Sequence, residues 1–451
     1  MKIVVAPDSF KESMSAKEAC DSIEKGLLSV CENWNIIKVP MADGGEGTLE
    51  ALIDATNGKI FNVRTLNPLA KEIDSKFGIL GDKNTAIIEM ASTSGLELIS
   101  QNERNPYITT TYGTGQLILK ALDHNVRKII LGIGGSATND GGAGMLQALG
   151  GKLLDKDGKE INFGGYELSK LDKIDFSNID KRLKNVEILV ACDVTNPLTG
   201  ENGSSYIFGK QKGANPEMMA ILDKNLYHYS NIIKRDLFLD VNDIPGAGAA
   251  GGLGAGLLTL GAVLKKGIDI VIEANNLEEK IQGADLVITG EGSIDGQTRF
   301  GKTPYGVVSV AKKYNIPTIS LAGNVGKQGA NAAGKLNFLE SFNHPLAFLD
   351  GPSQRKSQGV DDFGALKING LNVNAITGDA FSSINGMGHH NTFLINQSKL
   401  GIRESLEKAY VNNFLTKSLT DEEYKKYISG DRSEVKFQKL EEALAFQLNG
   451  L

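Results

Sequence analysis

Five stretches of this chain set polar residues directly behind an apolar run, and each has the residue types to hold an anion, a metal or a proton. The first is Ala6-Pro7-Asp8-Ser9-Phe10-Lys11. A lysine here, beside the start of a helix, can neutralise a phosphate or a carboxylate. Pro, Asp and Ser are equally the residues that turns use. The second, Met41-Ala42-Asp43-Gly44-Gly45-Glu46-Gly47-Thr48, pairs two carboxylates with three glycines. Its backbone can approach a ligand closely, and Asp43 and Glu46 are hard oxygen donors suited to Mg2+. The third runs from Leu131 through Gly134, Gly135, Ser136, Thr138, Asn139 and Asp140 to Gly142. Successive backbone N–H groups in such a turn make an anion nest, to which a following helix adds its dipole.

The fourth stretch is Ala191-Cys192-Asp193-Val194-Thr195-Asn196-Pro197. An aspartate at the end of a very apolar strand is placed for a general base or a metal ligand, or for capping the next turn. Cys192 reads as core. The fifth, Thr289-Gly290-Glu291-Gly292-Ser293-Ile294-Asp295-Gly296-Gln297-Thr298, leads into a GxxxxGK[ST] match ending at Gly301-Lys302-Thr303. A P-loop begins where its strand ends. Here the apolar run stops at Thr289 and the six residues Gly290 to Asp295 intervene, which argues against one. The GxGxxG match at Gly246–Gly251 follows Ile244-Pro245 and no evident strand, so packing through small residues explains it better than a dinucleotide fold. His344, His389 and His390 have no Cys or acidic residue at zinc spacing, and no Ser-His-Asp order stands out.

The elements that must position these stretches alternate. Apolar β-branched runs at Val4-Val5, 36–39, 86–90, 128–133, 186–191, 285–289 and 317–322 read as strands. Helical spacing predicts helices over 16–30, 48–56 and 144–149. Strands and helices in alternation give an α/β class with a mostly parallel sheet, whose ligands bind beyond the carboxyl ends of strands. At 451 residues the chain should hold two or three domains. Apolar residues make up 41%, enough for a substantial core, and the net charge of −6 argues against a nucleic-acid or anionic-membrane partner. The longest weakly polar run, 253–264, is too short to span a bilayer. Three cysteines without a paired spacing and no secretory leader point to the cytoplasm. Residues 1–326 carry 34 basic and 40 acidic side chains and so hold the entire charge imbalance, which marks a boundary near 326. Beyond it, 327–395 shows few elements, while 402–414 and 437–448 fit helices.

Taken in order, APDSFK (6–11), PMADGGEGT (40–48), TTTYGTG (109–115), LGIGGSATNDGGAGMLQALG (131–150), ACDVTNPL (191–198), GAGAAGGLGAGL (246–257) and ITGEGSIDGQT (288–298) resemble the bacterial glycerate kinase family. The resemblance covers about residues 1–326. It implies an ATP-dependent, Mg2+-assisted kinase that phosphorylates D-glycerate, in the branch that yields 2-phosphoglycerate. It also implies a flavodoxin-like three-layer domain from 1–64 and 278–326, an inserted α/β domain of restriction-enzyme-like topology over 65–277, and a site in the cleft between them.

By the same resemblance, Asp43, Glu46 or Glu291 would hold the metal. Lys11 and the backbone of Gly134–Asn139 would offset phosphate or carboxylate charge. Asp193 would position the attacking hydroxyl and take its proton, with Asn196 and Asp295 beside it. Asp8, Ser9, Gly44, Gly45, Gly134, Gly135, Ser136, Thr138, Asn139, Asp140, Asn196, Gly290 and Gly292 would line the substrate and nucleotide. Related chains carry the GEGxxDGQT segment without a Walker-type GKT, which makes Thr303 look coincidental. Residues 327–451 fall outside the resemblance, where relatives usually add a last strand–helix portion. Two other readings remain: a catalytically weakened glycerate-kinase-like nucleotide-binding protein whose tail serves assembly or binding, and a P-loop NTPase that depends on Lys302 rather than Lys11.

Overall fold

The computed structural model describes residues 1–11, 13–294, 298, 301–325 and the strand segments 346–350, 366–368, 371–378 and 391–396. The strands, in chain order, are β1 Lys2–Val5, β2 Asn35–Lys38, β3 Lys59–Leu66, β4 Glu72–Ile79, β5 Thr85–Glu89, β6 Lys128–Gly132, β7 Lys152–Asp155 and β8 Leu171–Asp175. There follow β9 Glu187–Ala191, β10 Val263–Lys265, β11 Leu286–Ile294, β12 Thr318–Val325, β13 Leu346–Asp350, β14 Leu366–Ile368, β15 Leu371–Gly378 and β16 Asn391–Asn396. The helices are α1 Ala16–Val30, α2 Thr48–Thr56, α3 Ala91–Ser94, α4 Tyr112–Leu122, α5 Ala143–Ala148 and α6 Ser204–Phe208. After them come α7 Pro216–Leu237, α8 Ala249–Leu258, α9 Gly267–Ala274, α10 Leu277–Ile281 and α11 Thr303–Lys313. The class is mixed α/β, and the chain divides into two compact units, Met1–Ala42 with Ile272–Leu451, and Asp43–Val271.

In the first unit β2, β1, β11, β12 and β13 lie side by side and all parallel. Counted within the unit this is the order 2-1-3-4-5, the flavodoxin-like arrangement. Helix α1 starts where Ser15 caps it, since the Ser15 hydroxyl accepts from Glu18 N–H and the Glu18 carboxylate accepts from Ser15 N–H. Its Ile23 and Leu27, one turn apart, pack with Cys20 on Ile3, Val5, Leu286 and Ile288. The last parallel strand, β13, lies where few elements were expected. Antiparallel β16, β15 and β14 continue the same sheet outward from it. The helices expected over 402–414 and 437–448 lie outside the described residues.

The second unit has a six-stranded sheet in the order β10-β9-β6-β5-β4-β3, with β10, β9, β6 and β5 parallel and the other two antiparallel. Its core gathers Ile88, Leu117, Ile129, Leu131, Val190, Leu226 and Tyr229, all buried. The small residues at 246–256 serve packing. Gly251 adopts φ +75, and a methyl there would lie 1.8 Å from the Thr138 carbonyl oxygen, so α8 rests backbone to backbone on the 138–142 turn. The GxGxxG match is therefore a helix–turn contact, as small-residue packing predicts.

Candidate active site

In the second unit the carboxyl ends of parallel β6, β9 and β10 gather three segments. Asp193 stands two residues past β9, and its Oδ1 accepts the Gly267 N–H at 3.0 Å, at the first residue of α9. The Asp43 loop lies on the same ends. Gly44 has φ +94, and a methyl there would meet Gly267 Cα at 2.5 Å and Ala191 Cβ at 2.9 Å. A methyl on Gly267 would in turn lie 2.0 Å from the Asp43 carbonyl oxygen. Two glycines thus permit a backbone contact that brings Asp43 close to Asp193. The Asp43 Oδ1 accepts the Gly45 N–H at 3.0 Å, which fixes its carboxylate.

The proximity shows in the electrostatics. Asp193 keeps exposed surface, yet desolvation of its carboxylate by the surrounding strand ends pushes its pKa up. The Gly267 N–H opposes that shift, Asp43 adds to it by repulsion, Lys266 opposes it, and Asp269 adds to it. A carboxylate so placed is a stronger base than an ordinary surface aspartate. Asn196 holds the following loop. Its Nδ2 donates to the Asn202 carbonyl at 2.8 Å, and its own carbonyl accepts Gly246 and Gly248 N–H.

The glycine-rich turn after β6 divides into two faces. Gly134 and Gly135 are exposed, with Gly135 in the left-handed region. Ser136, Thr138, Asn139 and Asp140 are buried. The Asp140 Oδ2 accepts Thr111 N–H and O–H, each at 2.8 Å, and Gly144 N–H, while Oδ1 accepts Gly142 N–H. Burial pushes the Asp140 pKa up, against those four bonds. Asn139 Nδ2 donates to Ser205 Oγ at 3.0 Å. Beneath them Lys212, 1% exposed, donates to the Thr138 carbonyl at 2.6 Å, and burial lowers its pKa to about 7. The turn therefore shows solvent a glycine backbone, and its polar side chains brace it from inside.

On the Asp43 loop Glu46 is exposed. The start of α2 carries its own counter-charge, because Glu89 at the end of β5 accepts Leu49 N–H at 3.1 Å. Burial raises the Glu89 pKa, and the Leu49 bond works against that. The positive end of α2 is thus partly neutralised from within the unit.

A second cluster sits in the first unit at the ends of β1 and β11. Asp8 N–H donates to the Gly290 carbonyl at 2.9 Å. The Asp8 carboxylate accepts Ser9 N–H at 2.6 Å and Thr303 O–H at 2.5 Å. Lys11 is exposed, with its backbone nitrogen 3.3 Å from where a methyl on Gly292 would lie. Glu291, 8% exposed, accepts Thr298 O–H at 2.7 Å on one oxygen and has Lys302 Nζ 3.8 Å from the other. Asp295 lies outside the described residues.

One sequence argument is corrected here. Strand β11 does not stop at Thr289, because its pairing with β12 continues through Ile294 and Val325. The GxxxxGK[ST] match at 296–303 therefore begins two residues after its strand rather than seven, and its last residue, Thr303, opens α11. Lys302 and Thr303, set aside on spacing, have partners in this cluster. Glu89, Lys212, Lys266 and Gly267 were also passed over. For Glu89 the signal was an acid closing the apolar run at 86–90, and for Lys266-Gly267 a basic-glycine step before a helix.

Hard carboxylate oxygens at Asp43 and Glu46 match what Mg2+ takes, one or two carboxylates with substrate phosphates completing the shell. Among the described residues no group of three or more His, Cys, Asp or Glu forms an all-protein metal cage. No helix among them is long and apolar enough to cross a membrane.

A model of the glycerate kinase family matches residues 3–348. Glycerate 2-kinase of Escherichia coli (strain K12) is 56% identical over 326 residues, covering 72% of this chain and 86% of its own length. Glycerate kinase of Bacillus subtilis (strain 168) is 55% identical over 328 residues, with the same coverage of 72% and 86%. A crystal structure from Salmonella typhimurium LT2 that carries the name glycerate kinase 2 superposes with a TM-score of 0.70 at 52% identity, covering 73% of this chain and 88% of that one.

Proposed function

Because this chain belongs to the glycerate kinase family and is a kinase, we propose that it transfers the terminal phosphoryl group of ATP to a hydroxyl of D-glycerate, giving 2-phosphoglycerate. The single observation that carries the reading is the close packing of the Asp43–Gly44 loop on Gly267, which sets Asp43 beside Asp193. Phosphoryl transfer asks a protein for positioning and charge neutralisation more than for covalent chemistry.

Asp193 orients the acceptor hydroxyl and receives its proton. Its pKa, raised by desolvation, favours proton uptake. Asn196 keeps the Asp193 loop in shape. In the second unit the exposed backbone of Gly134 and Gly135 offers N–H groups to an anion; in the first, Lys11 carries an exposed positive charge suited to phosphate. Asp43 and Glu46 would hold Mg2+, which when bound draws charge from the phosphate oxygens. Asp8, Ser9, Gly290 and Gly292 would line the nucleotide, with Asp8 N–H bonded to the Gly290 carbonyl and Gly292 close to the Lys11 backbone. Free cysteines accord with a reducing cytoplasm.

The test is ADP release from ATP and Mg2+ with and without D-glycerate. The reading expects release that depends on glycerate. Nucleotide binding with no such dependence would favour the alternative, a catalytically weakened relative whose tail serves assembly or binding.

A further inference from the structure

We propose that Lys302 binds the β-phosphate of the nucleotide, held toward it by Glu291 and Thr298. The proposal rests on the kinase reading above and assigns a residue that reading leaves without a role.

Glu291 lies within β11, on backbone paired to β12, and so is carried by the sheet rather than by a loop. Its carboxylate is buried and engaged at both oxygens, by Thr298 O–H at 2.7 Å and by Lys302 Nζ at 3.8 Å. The lysine side chain is 29% exposed, against 10% for the glutamate. A buried acid joined to a part-exposed ammonium aims the cation at solvent-side space rather than hiding it. Lysine–carboxylate pairs that point an ammonium at nucleotide phosphates are a recurring device of phosphoryl-transfer enzymes.

The next residue fixes where Lys302 stands. Thr303 opens α11, and its hydroxyl is spent on Asp8 at 2.5 Å, which pins the helix start to the end of β1. Helix α11 has no acidic residue in its first turn and no side-chain cap, whereas the start of α2 receives Glu89. The Asp8 carboxylate bonded to Thr303 lies against that helix start and offsets part of its positive end, so the charge offered to a phosphate there is chiefly that of Lys302.

The experiment titrates ADP and AMP into the full-length protein by calorimetry, comparing wild type with Lys302→Met, Lys302→Arg and Glu291→Gln, with thermal melting as a check on folding. Lys302→Met should weaken ADP by roughly ten- to a hundredfold, the loss expected for one charge-assisted contact, and leave AMP within about threefold of wild type. Lys302→Arg should recover part of the ADP affinity. Glu291→Gln, which keeps an oxygen for Thr298 but loses the ion pair, should weaken ADP in the same sense and by less. The proposal is overturned if Lys302→Met binds ADP like wild type, if ADP and AMP weaken equally, or if the wild type binds no ADP. Absence of glycerate-dependent turnover in a wild type that still discriminates ADP from AMP through Lys302 would instead defeat the glycerate reading and leave this assignment standing.

Discussion

Replacing Gly267 with alanine tests whether the Asp43–Asp193 arrangement matters for turnover. The added methyl would sit 2.0 Å from the Asp43 carbonyl oxygen and 2.6 Å from Gly44 Cα, where ordinary contact begins at 3.4 Å. Both obstacles are backbone, so no rotamer change relieves them. The Asp43 loop and α9 must separate by about 1.4 Å along the worst contact, the difference between 3.4 and 2.0 Å. Overpacking of this kind costs about 1–3 kcal/mol of stability, which the unit can absorb. Misplacing catalytic groups by about 1 Å costs on the order of a hundredfold in rate. The expected result is a folded protein, melting a few degrees lower, with kcat/KM for D-glycerate reduced by about two orders of magnitude. Activity is to be measured well below the melting transition and expressed per folded molecule. A variant that turns over within about threefold of wild type would refute the claim that this contact aligns the reacting groups.

Other changes probe the remaining parts. Asp193→Asn keeps an oxygen for the Gly267 N–H, so folding should hold while kcat falls by about a hundredfold or more; near-wild-type turnover would remove Asp193 from the role. Because the Asp193 pKa is raised, the wild-type rate should fall with acidification at a pH above that of an ordinary aspartate, and a pH–rate profile reads this directly. Lys212 has a folded-state pKa of about 7, below its unfolded value, so its burial cost is full below pH 7 and fades as pH rises toward the unfolded value. Urea unfolding should therefore show stability increasing by about 2–3 kcal/mol between pH 7 and 9, and Lys212→Met should flatten that rise; an unchanged slope in the variant would assign it elsewhere. Glu89→Ala should cost about 1–2 kcal/mol by stripping α2 of its N-terminal acceptor, and Glu89→Gln should cost much less in the same melting experiment.

Much of this fold could be read from residue spacing. Helices α1 and α2 run over the residues that their apolar faces predict, and α1 starts at the Ser15–Glu18 capping pair. The parallel strands were legible because buried strands are continuous apolar runs bounded by Gly, Asp or Asn. Strands β3 and β4 were missed because they form an antiparallel pair on the sheet margin, with charged residues along both. The far half of β11 was missed for another reason. Gly290, Glu291 and Gly292 have low strand propensity, and pairing with β12 overrides it. In the tail, short strands among Asn and Gly residues gave little periodicity, yet β13 supplies the fifth parallel strand of the first unit.

At the site, strand-end position identified which loops matter, but not the direction of each side chain. Asp140 and Asn139 have the same residue types as ligand contacts, and only the fold turns them inward toward Thr111 and Ser205. Conversely, Gly44 and Gly267 lie far apart in sequence, and nothing local announces that they meet.

The measurement that bears most directly on the whole account is a phosphorus NMR spectrum of the protein incubated with ATP, Mg2+ and D-glycerate. The account predicts a new phosphomonoester resonance growing in step with ADP, split by the single hydrogen at carbon 2 of the product. A spectrum in which ATP persists, or decays to ADP and inorganic phosphate at the same rate without D-glycerate, would contradict it.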